Sequence, residues 1–393
     1  MTEDTISNGV KIKQKIARAA AIEAALLFLA VATTFFLIAA ASALFSNTDI
    51  LRIQARGLLY GKFYDSIKPE RENVDEYIKI MPRPDIAVLG SSRMLPISSA
   101  SFPGYRFVNL AMSNASVEDS VATYNLLFEN NKLPRLVIIT FEDWVFNRNN
   151  KLKEWKEWGG RLDRAIERTG AKKRPVPCAT KTILACLDEM NAFLGRFNPR
   201  NLQRAIKLSL QNGHLVTAEE IAALSEVDNA LTVGWQPDRS YQYGSRGKDY
   251  VDDNVLKWKR EAGINESYNK LYYSDFTELY GLAFENIGKL FIRMRQDGVR
   301  VLLFFPPMHP DAYEAMFSYP QGRLALAAEE KLKSLAHEAG IGTMGSNDPN
   351  DCGARREGFV DAIHLRLEPM AACMDRYSDA IKKTLGTENS TGQ

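Results

Sequence analysis

The pattern of apolar and polar positions divides the 393-residue chain into three regimes. From Ala24 to Phe45 no residue is charged and most are apolar, a run long enough for the roughly 20 residues of a membrane-spanning helix. Lys11, Lys13, Lys15 and Arg18 precede it, and Ser46, Asn47, Thr48 and Asp49 follow. The positive-inside rule therefore puts the N-terminus in the cytoplasm and the remainder outside. The expected order is a cytoplasmic N-terminus at 1–18, a transmembrane anchor at 19–45 and a polar stem at 46–83. A cleaved signal peptide is the competing reading, given the small residues from Ala40 to Ala43. The apolar run exceeds a typical signal core, which favours an anchor that stays attached.

The second regime alternates short apolar runs with longer amphipathic ones. Residues 85–90, 105–110, 135–141 and 299–305 read as strands, and 117–130, 274–297, 322–339 and 367–385 as helices. Runs such as Val137-Ile-Ile139 and Val301-Leu-Leu-Phe-Phe305, bounded by Pro or charged residues, are the signature of strands buried on both faces. The alternation predicts an α/β fold with a parallel sheet between helices, its functional residues at the carboxyl ends of the strands. This domain is assigned to 84–145 and 274–386.

Between those parts, at 146–273, the alternation gives way to helical, charged and aromatic patterns, read as a helical insertion or cap. Residues 145–210 carry fifteen Lys and Arg against six Asp and Glu, either a solvated helix surface or a contact for anionic headgroups or a charged glycan. Trp155 and Trp158 are spaced to share a helix face, there to pack the cap on the domain or to stack on sugar rings. Residues 387–393 read as a disordered tail.

Net charge is only +2, so no polyelectrolyte partner such as nucleic acid is implied. Cys178, Cys186, Cys352 and Cys373 lack the Cys-x-x-Cys spacing of a zinc site. Outside the cytosol Cys178–Cys186 and Cys352–Cys373 could each close a local loop, the alternative being buried free thiols. Neither a glycine-rich phosphate loop nor a cluster with metal-ligand spacing occurs, so no nucleotide, cofactor or metal is expected.

Candidate chemistry is concentrated in two blocks. Asp85-Ile-Ala-Val-Leu-Gly-Ser-Ser-Arg93 is a short strand ending in a tight turn, and Phe359-Val-Asp-Ala-Ile-His364 places a carboxylate three residues before an imidazole. A serine hydroxyl needs an adjacent base to become nucleophilic, and the base needs a third group to fix its tautomer. Ser92, His364 and Asp361 supply that set, which suggests acyl transfer through a serine ester. Of the other histidines, His337 reads as a surface residue and His214 as part of a turn, while His309, after the strand at 299–305, is a candidate substrate contact. Arg93 is expected either to neutralise an anionic substrate group or to tie down the turn by pairing with Glu142 or Asp143.

The order of these blocks resembles that of the SGNH (GDSL) hydrolase superfamily over roughly residues 84–145 and 298–385. The resemblance implies a three-layer, flavodoxin-like parallel sheet with Ser92, Asp361 and His364 as the triad. Asn109-Leu-Ala-Met-Ser-Asn114 resembles the second block, whose closing glycine lends its N–H to the oxyanion hole. Asn114 stands at that position, and asparagine tolerates the left-handed backbone better than most residues. In the third block, Gly-x-Asn-Asp in the family, Asp143 lies nearest the asparagine that donates to the oxyanion, and a carboxylate cannot donate. Either Asp143 has another role, or backbone donors and some other side chain build the hole, or the chain is a catalytically inactive relative that binds a glycan or serves as a scaffold. The resemblance further implies a bacterial inner-membrane protein with its domain in the periplasm. It points to the esterase and O-acyltransferase branch of envelope polysaccharide modification, as in alginate O-acetylation and D-alanyl transfer, with a cell-envelope glycan as substrate and a membrane-bound acyltransferase as partner. A third reading is a structural subunit of an envelope secretion complex held to the membrane by its basic cap.

Overall fold

The computed structural model describes Thr33 and residues 70–150, 152–174, 234–236, 238–243, 275–318 and 320–386. All but Thr33 belong to one compact unit. The expected anchor apart from Thr33, most of the stem, the Cys178–Cys186 pair, His214 and the C-terminal tail lie outside the described residues, and among the described residues no helix is long and apolar enough to cross a membrane.

The strands are β1 (Ile86–Leu89), β2 (Phe107–Asn109), β3 (Leu136–Ile139), β4 (Gly234–Trp235), β5 (Tyr241–Gln242), β6 (Arg300–Phe305) and β7 (Gly342–Gly345). The helices are α1 (Glu70–Ile80), α2 (Val117–Glu129), α3 (Gly160–Thr169), α4 (Gly281–Gln296), α5 (Pro310–Met316), α6 (Pro320–Glu338), α7 (Pro349–Cys352), α8 (Leu367–Arg376) and α9 (Ser378–Leu385). Five strands form one sheet in the order β2-β1-β3-β6-β7, every pair parallel. The protein is thus of the α/β class.

Strand periodicity sorts the core. Ile86, Val88, Leu136, Ile138, Leu302, Phe304 and Met344 pack in one cluster with Met370, Met374, Ile381 and Leu385 of α8 and α9. The alternate set, Ala87, Leu89, Val137, Ile139 and Leu303, is equally buried, and α4 packs on β6 while touching α2 and α6. Burial of both residue sets is why these strands read as unbroken apolar runs.

Among the departures from the sequence reading, three elements stand out. Part of the expected stem is helix α1, whose Val74, Tyr77 and Ile78 are buried together with Met81 just after it. Their i, i+3, i+4, i+7 spacing makes one apolar stripe, and each such side chain contributes about 1.5–3 kcal/mol when fully buried, so this part is fixed to the domain. Strand β7, Gly342-Thr-Met-Gly345, was not expected; it is an edge strand with Gly342 and Thr343 exposed, so it lacks the apolar run of a central strand. The expected last helix is two, broken at Tyr377.

The described parts of 146–273 are mixed rather than wholly helical. Trp155 and Trp158 lie in a 3-10 segment, Glu154–Trp158, not on an α-helix face. Both are buried, and Trp158 Nε1 donates to Asp119 Oδ1 at 2.7 Å, so they pack inward and are not a sugar platform. Helix α3 lies on α2, joined by Arg164 and Glu129, and β4 and β5 form an antiparallel ribbon. Cys352 and Cys373 are joined as a disulfide inside the α8 side of the core.

Candidate active site

The turn after β1 is set by Gly90. Its φ is +134°, and a Cβ there would come within 2.5 Å of Thr140 Cγ2 and 3.1 Å of the Thr140 carbonyl, so only glycine lets β1 and the end of β3 approach this closely. Ser91 then caps a 3-10 turn, Ser92–Met94, by accepting from the Arg93 N–H, and its hydroxyl donates to Glu142.

Arg93 points into the protein. Its guanidinium donates to Glu142 Oε2 at 2.8 Å, to Asn347 Oδ1 at 3.0 Å and to the Pro306 carbonyl. Asn347 is in turn held by Glu329, which accepts from its side chain at 2.8 Å and its backbone N–H at 3.1 Å. One buried cation therefore ties the turn bearing Ser92 to the segments that follow β3, β6 and β7. Of the two expected roles for Arg93 this is the structural one, with Glu142 rather than Asp143 as partner. The Asp143 carboxylate accepts from the Trp144 N–H at 2.8 Å, opening a 3-10 turn at 143–146.

The loop after β2 passes beside this turn, with the Met112 N–H donating to the Gly90 carbonyl at 2.9 Å. Asn109 fastens the two from below: its Nδ2 donates to the carbonyls of Met94 and Ile97, both at 2.9 Å. Asn114 has φ +55°, the left-handed conformation anticipated for it. Its neighbourhood is strongly charged. Both Glu70 oxygens accept from the Ser113 N–H, at 3.1 and 3.0 Å, and Arg71 donates to the carbonyls of Ser113 and Asn114 while pairing with Asp119. Burial raises the Glu70 carboxyl above its ordinary range, partly offset by the adjacent Arg71.

The third component is the loop before α8. The Phe359–Leu365 bridge closes it, and Asp361 Oδ1 accepts from the N–H groups of Ile363 at 3.0 Å and His364 at 2.9 Å. His309 braces the same loop. Its N–H donates to the Ala362 carbonyl at 3.0 Å, its ring meets Phe359 edge-on at 5.4 Å, and its Nδ1 accepts from the Asp311 N–H as the cap of α5. Only 2% exposed, it is not the substrate contact expected of it; the proline following it starts a helix and turns its ring inward. His337 is exposed on α6, as expected.

These loops bring three side chains together. Ser92 Oγ lies 2.8 Å from His364 Nε2, across 272 residues of chain, and His364 Nδ1 lies 2.8 and 2.9 Å from the two Asp361 oxygens. An ionised carboxylate only accepts, so Nδ1 carries the imidazole proton and donates to Asp361. Nε2 is then left to accept from the Ser92 hydroxyl, the protonation pattern that general-base activation requires. Burial pushes the Asp361 carboxyl up, but the His364 ring and the two loop N–H groups outweigh it and hold the pKa at about 2.

One residue beside the triad had no local signal in the sequence. Tyr243, just after the ribbon, donates from its hydroxyl to the Ser92 carbonyl at 3.2 Å, and its ring centroid lies 5.3 Å from that of His364. Asn347 and the Glu70–Arg71 pair are the other supports missed as such. Among the described residues no group of His, Cys, Asp and Glu is arranged to hold a metal. No protein-family model matches the chain, and no curated protein matches it.

Proposed function

We propose that the protein is a serine esterase or O-acyltransferase of the SGNH type, anchored in a bacterial inner membrane and acting in the periplasm on a cell-envelope glycan. The observation that carries this reading is the 2.8 Å approach of Ser92 Oγ to His364 Nε2, with Asp361 behind the imidazole. Two further features support the SGNH-like fold. Counting only the sheet strands, the order is 2-1-3-4-5, that of flavodoxin-like sheets, and Asn114 takes the backbone conformation of the glycine it replaces. A disulfide between Cys352 and Cys373 supports an oxidising compartment.

In the proposed reaction Ser92 Oγ attacks the acyl carbonyl and passes its proton to His364 Nε2. Asp361 stabilises the imidazolium, and the N–H groups of Ser92 and Asn114 hold the oxyanion. Collapse breaks the acyl–oxygen bond, and Nε2 returns the proton to the departing alcohol. Water or a glycan hydroxyl then attacks the acyl-enzyme, loses its proton to His364, and releases Ser92 as the bond to Oγ breaks and Oγ regains a proton. A membrane-bound acyltransferase is the proposed source of acyl groups.

A fluorophosphonate probe tests the reading: Ser92 Oγ forms a bond to phosphorus, fluoride leaves, and the hydroxyl proton passes through His364 to solvent. The full chain in detergent should gain the probe's mass on Ser92, and S92A should not. A wild-type chain that stays unlabelled would remove the enzyme reading and leave the glycan-binding or scaffold alternative, which Asp143 in the third block favours.

A further inference from the structure

We infer that Tyr243, supplied by the segment between β3 and α4, is a positioning residue for the Ser92–His364 pair; the inference rests on the serine-nucleophile reading above. The Ser92 carbonyl accepts two bonds, one from the Leu95 N–H at 3.2 Å within its own turn and one from the Tyr243 hydroxyl at 3.2 Å. Two donors from different parts of the chain fix the peptide plane on which the nucleophile stands. The imidazole is held at its edges by Asp361 and Ser92. Edge contacts alone leave the ring free to swing out toward water, and the tilted Tyr243 ring covers that side at 5.3 Å.

The support for Tyr243 is tied to the nucleophile's own segment. Tyr241 meets the Tyr243 ring edge-on at 5.0 Å, and its N–H donates to the Leu95 carbonyl at 2.8 Å. Asp238 accepts from the Asn109 N–H through its carbonyl at 2.8 Å and from the Ser99 N–H through its carboxylate at 2.6 Å. Its other carboxylate oxygen takes the Ser240 N–H and hydroxyl. Besides the Tyr243–Ser92 bond, residues 238–243 are thus held at three further points to the stretch between β1 and the end of β2, which carries Ser92. Tyr243 therefore keeps register with the hydroxyl it orients. A bulky ring on one side of the dyad also restricts the directions from which an acyl donor can approach.

The test compares fluorophosphonate labelling rates of the full chain and its variants across pH. Y243F removes one hydrogen bond and should slow labelling about 3- to 10-fold. Y243L also uncovers the imidazole and should slow it by more than about tenfold, with the midpoint of the pH–rate profile displaced and the melting temperature unchanged. A purely structural residue would leave that midpoint alone. Labelling of Y243L at the wild-type rate and midpoint overturns the inference while leaving the Ser92 reading intact. A wild-type chain that does not react overturns the reading and the inference together. Should Y243L not fold, Y243F decides, because it keeps the ring packing, and a wild-type rate in that variant overturns the inference.

Discussion

Asp361→Asn isolates what the carboxylate does for the imidazole. In the wild type the two Asp361 oxygens face His364 Nδ1 at 2.8 and 2.9 Å, and Oδ1 also accepts two loop N–H groups. The fall of its pKa from the ordinary 3.8 to about 2, against the effect of burial, corresponds to roughly 2 kcal/mol of preference for the charged form in these contacts. That stabilisation of the fold is complete above the unfolded value of 3.8 and is lost as pH falls through about 2, so at neutral pH it is fully present. An asparagine of the same shape cannot satisfy every donor. If its oxygen keeps the loop N–H groups, its amide NH2 faces Nδ1, the ring must carry its proton on Nε2, and that nitrogen can no longer accept from Ser92. Loss of the carboxylate opposite the imidazolium, together with the wrong tautomer, brings the expected loss in kcat to about 10²–10⁴. Hydrolysis of an activated aryl acetate by the full chain in detergent measures this, with KM expected to change little. A D361N protein that folds and turns over within about tenfold of wild type would refute the argument that Asp361 sets the tautomer.

Three other perturbations probe the scaffold. Removing the buried cation in R93M leaves Glu142 unpaired beside the nucleophile turn; such a break costs about 3–5 kcal/mol, and a melting temperature lowered by less than about 4 °C would contradict it. The pH dependence of E70Q has a defined sign. Burial raises the Glu70 carboxyl above 4.5, so the cost of holding it ionised is felt fully above the raised value and vanishes as pH falls toward 4.5. The wild type should therefore gain on E70Q in thermal stability as pH drops from neutral toward 4.5, and parallel melting curves across that range would count against the assignment. The C352A/C373A double variant, which opens a disulfide spanning 21 residues, should lose about 3 kcal/mol, read by chemical denaturation; equal midpoints with and without reductant in the wild type would show the bond contributes nothing.

The parts of this structure that could be read from sequence are those whose signal is local. Ile86–Leu89, Leu136–Ile139 and Arg300–Phe305 are strands covered on both faces, so their neighbours need not be known to recognise them. Ser92 and the Asp361–His364 pair each sit in a short block that carries its own geometry, and only their order along the chain was needed to join them. What escaped was relational. The stripe Val74, Tyr77, Ile78 and Met81 has helical spacing, but the charged run beginning at Lys68 sits before it and suggested a solvated stem. His309 follows a strand, as a substrate contact would, yet the Asp311 N–H and Phe359 draw its ring inward. Arg93 was expected to pair with Glu142 or Asp143, and the backbone direction after β3 decides in favour of the first. Tyr243 is separated from Ser92 by 151 residues, and nothing near it in sequence announces the contact.

Glu142, in the acidic third block, has a structural role that does not require loss of chemistry. Arg93, the residue after Ser92, is buried, and a buried guanidinium without a counter-charge is far costlier than a paired one. Glu142 supplies that charge at 2.8 Å and also takes the Ser91 hydroxyl, so an acid at the end of β3 belongs to the platform of the nucleophile. On the proposed reading, this strand end offers carboxylates where the resembled family has a side-chain amide donor, and oxyanion stabilisation would fall to main-chain N–H groups. Those are useful only if their directions are fixed before the reaction. The loop bearing Asn114 meets this condition through Glu70 on the Ser113 N–H, Arg71 on the two following carbonyls and Glu154 on the Asn114 side chain at 3.2 Å. On the proposed reading, two buried charge networks flank Ser92: one holds the turn that presents the hydroxyl, the other the loop that receives the negative charge. Helix α1 supplies Glu70 and Arg71 to the second, which makes the helix between the expected membrane anchor and the sheet part of the active-site frame.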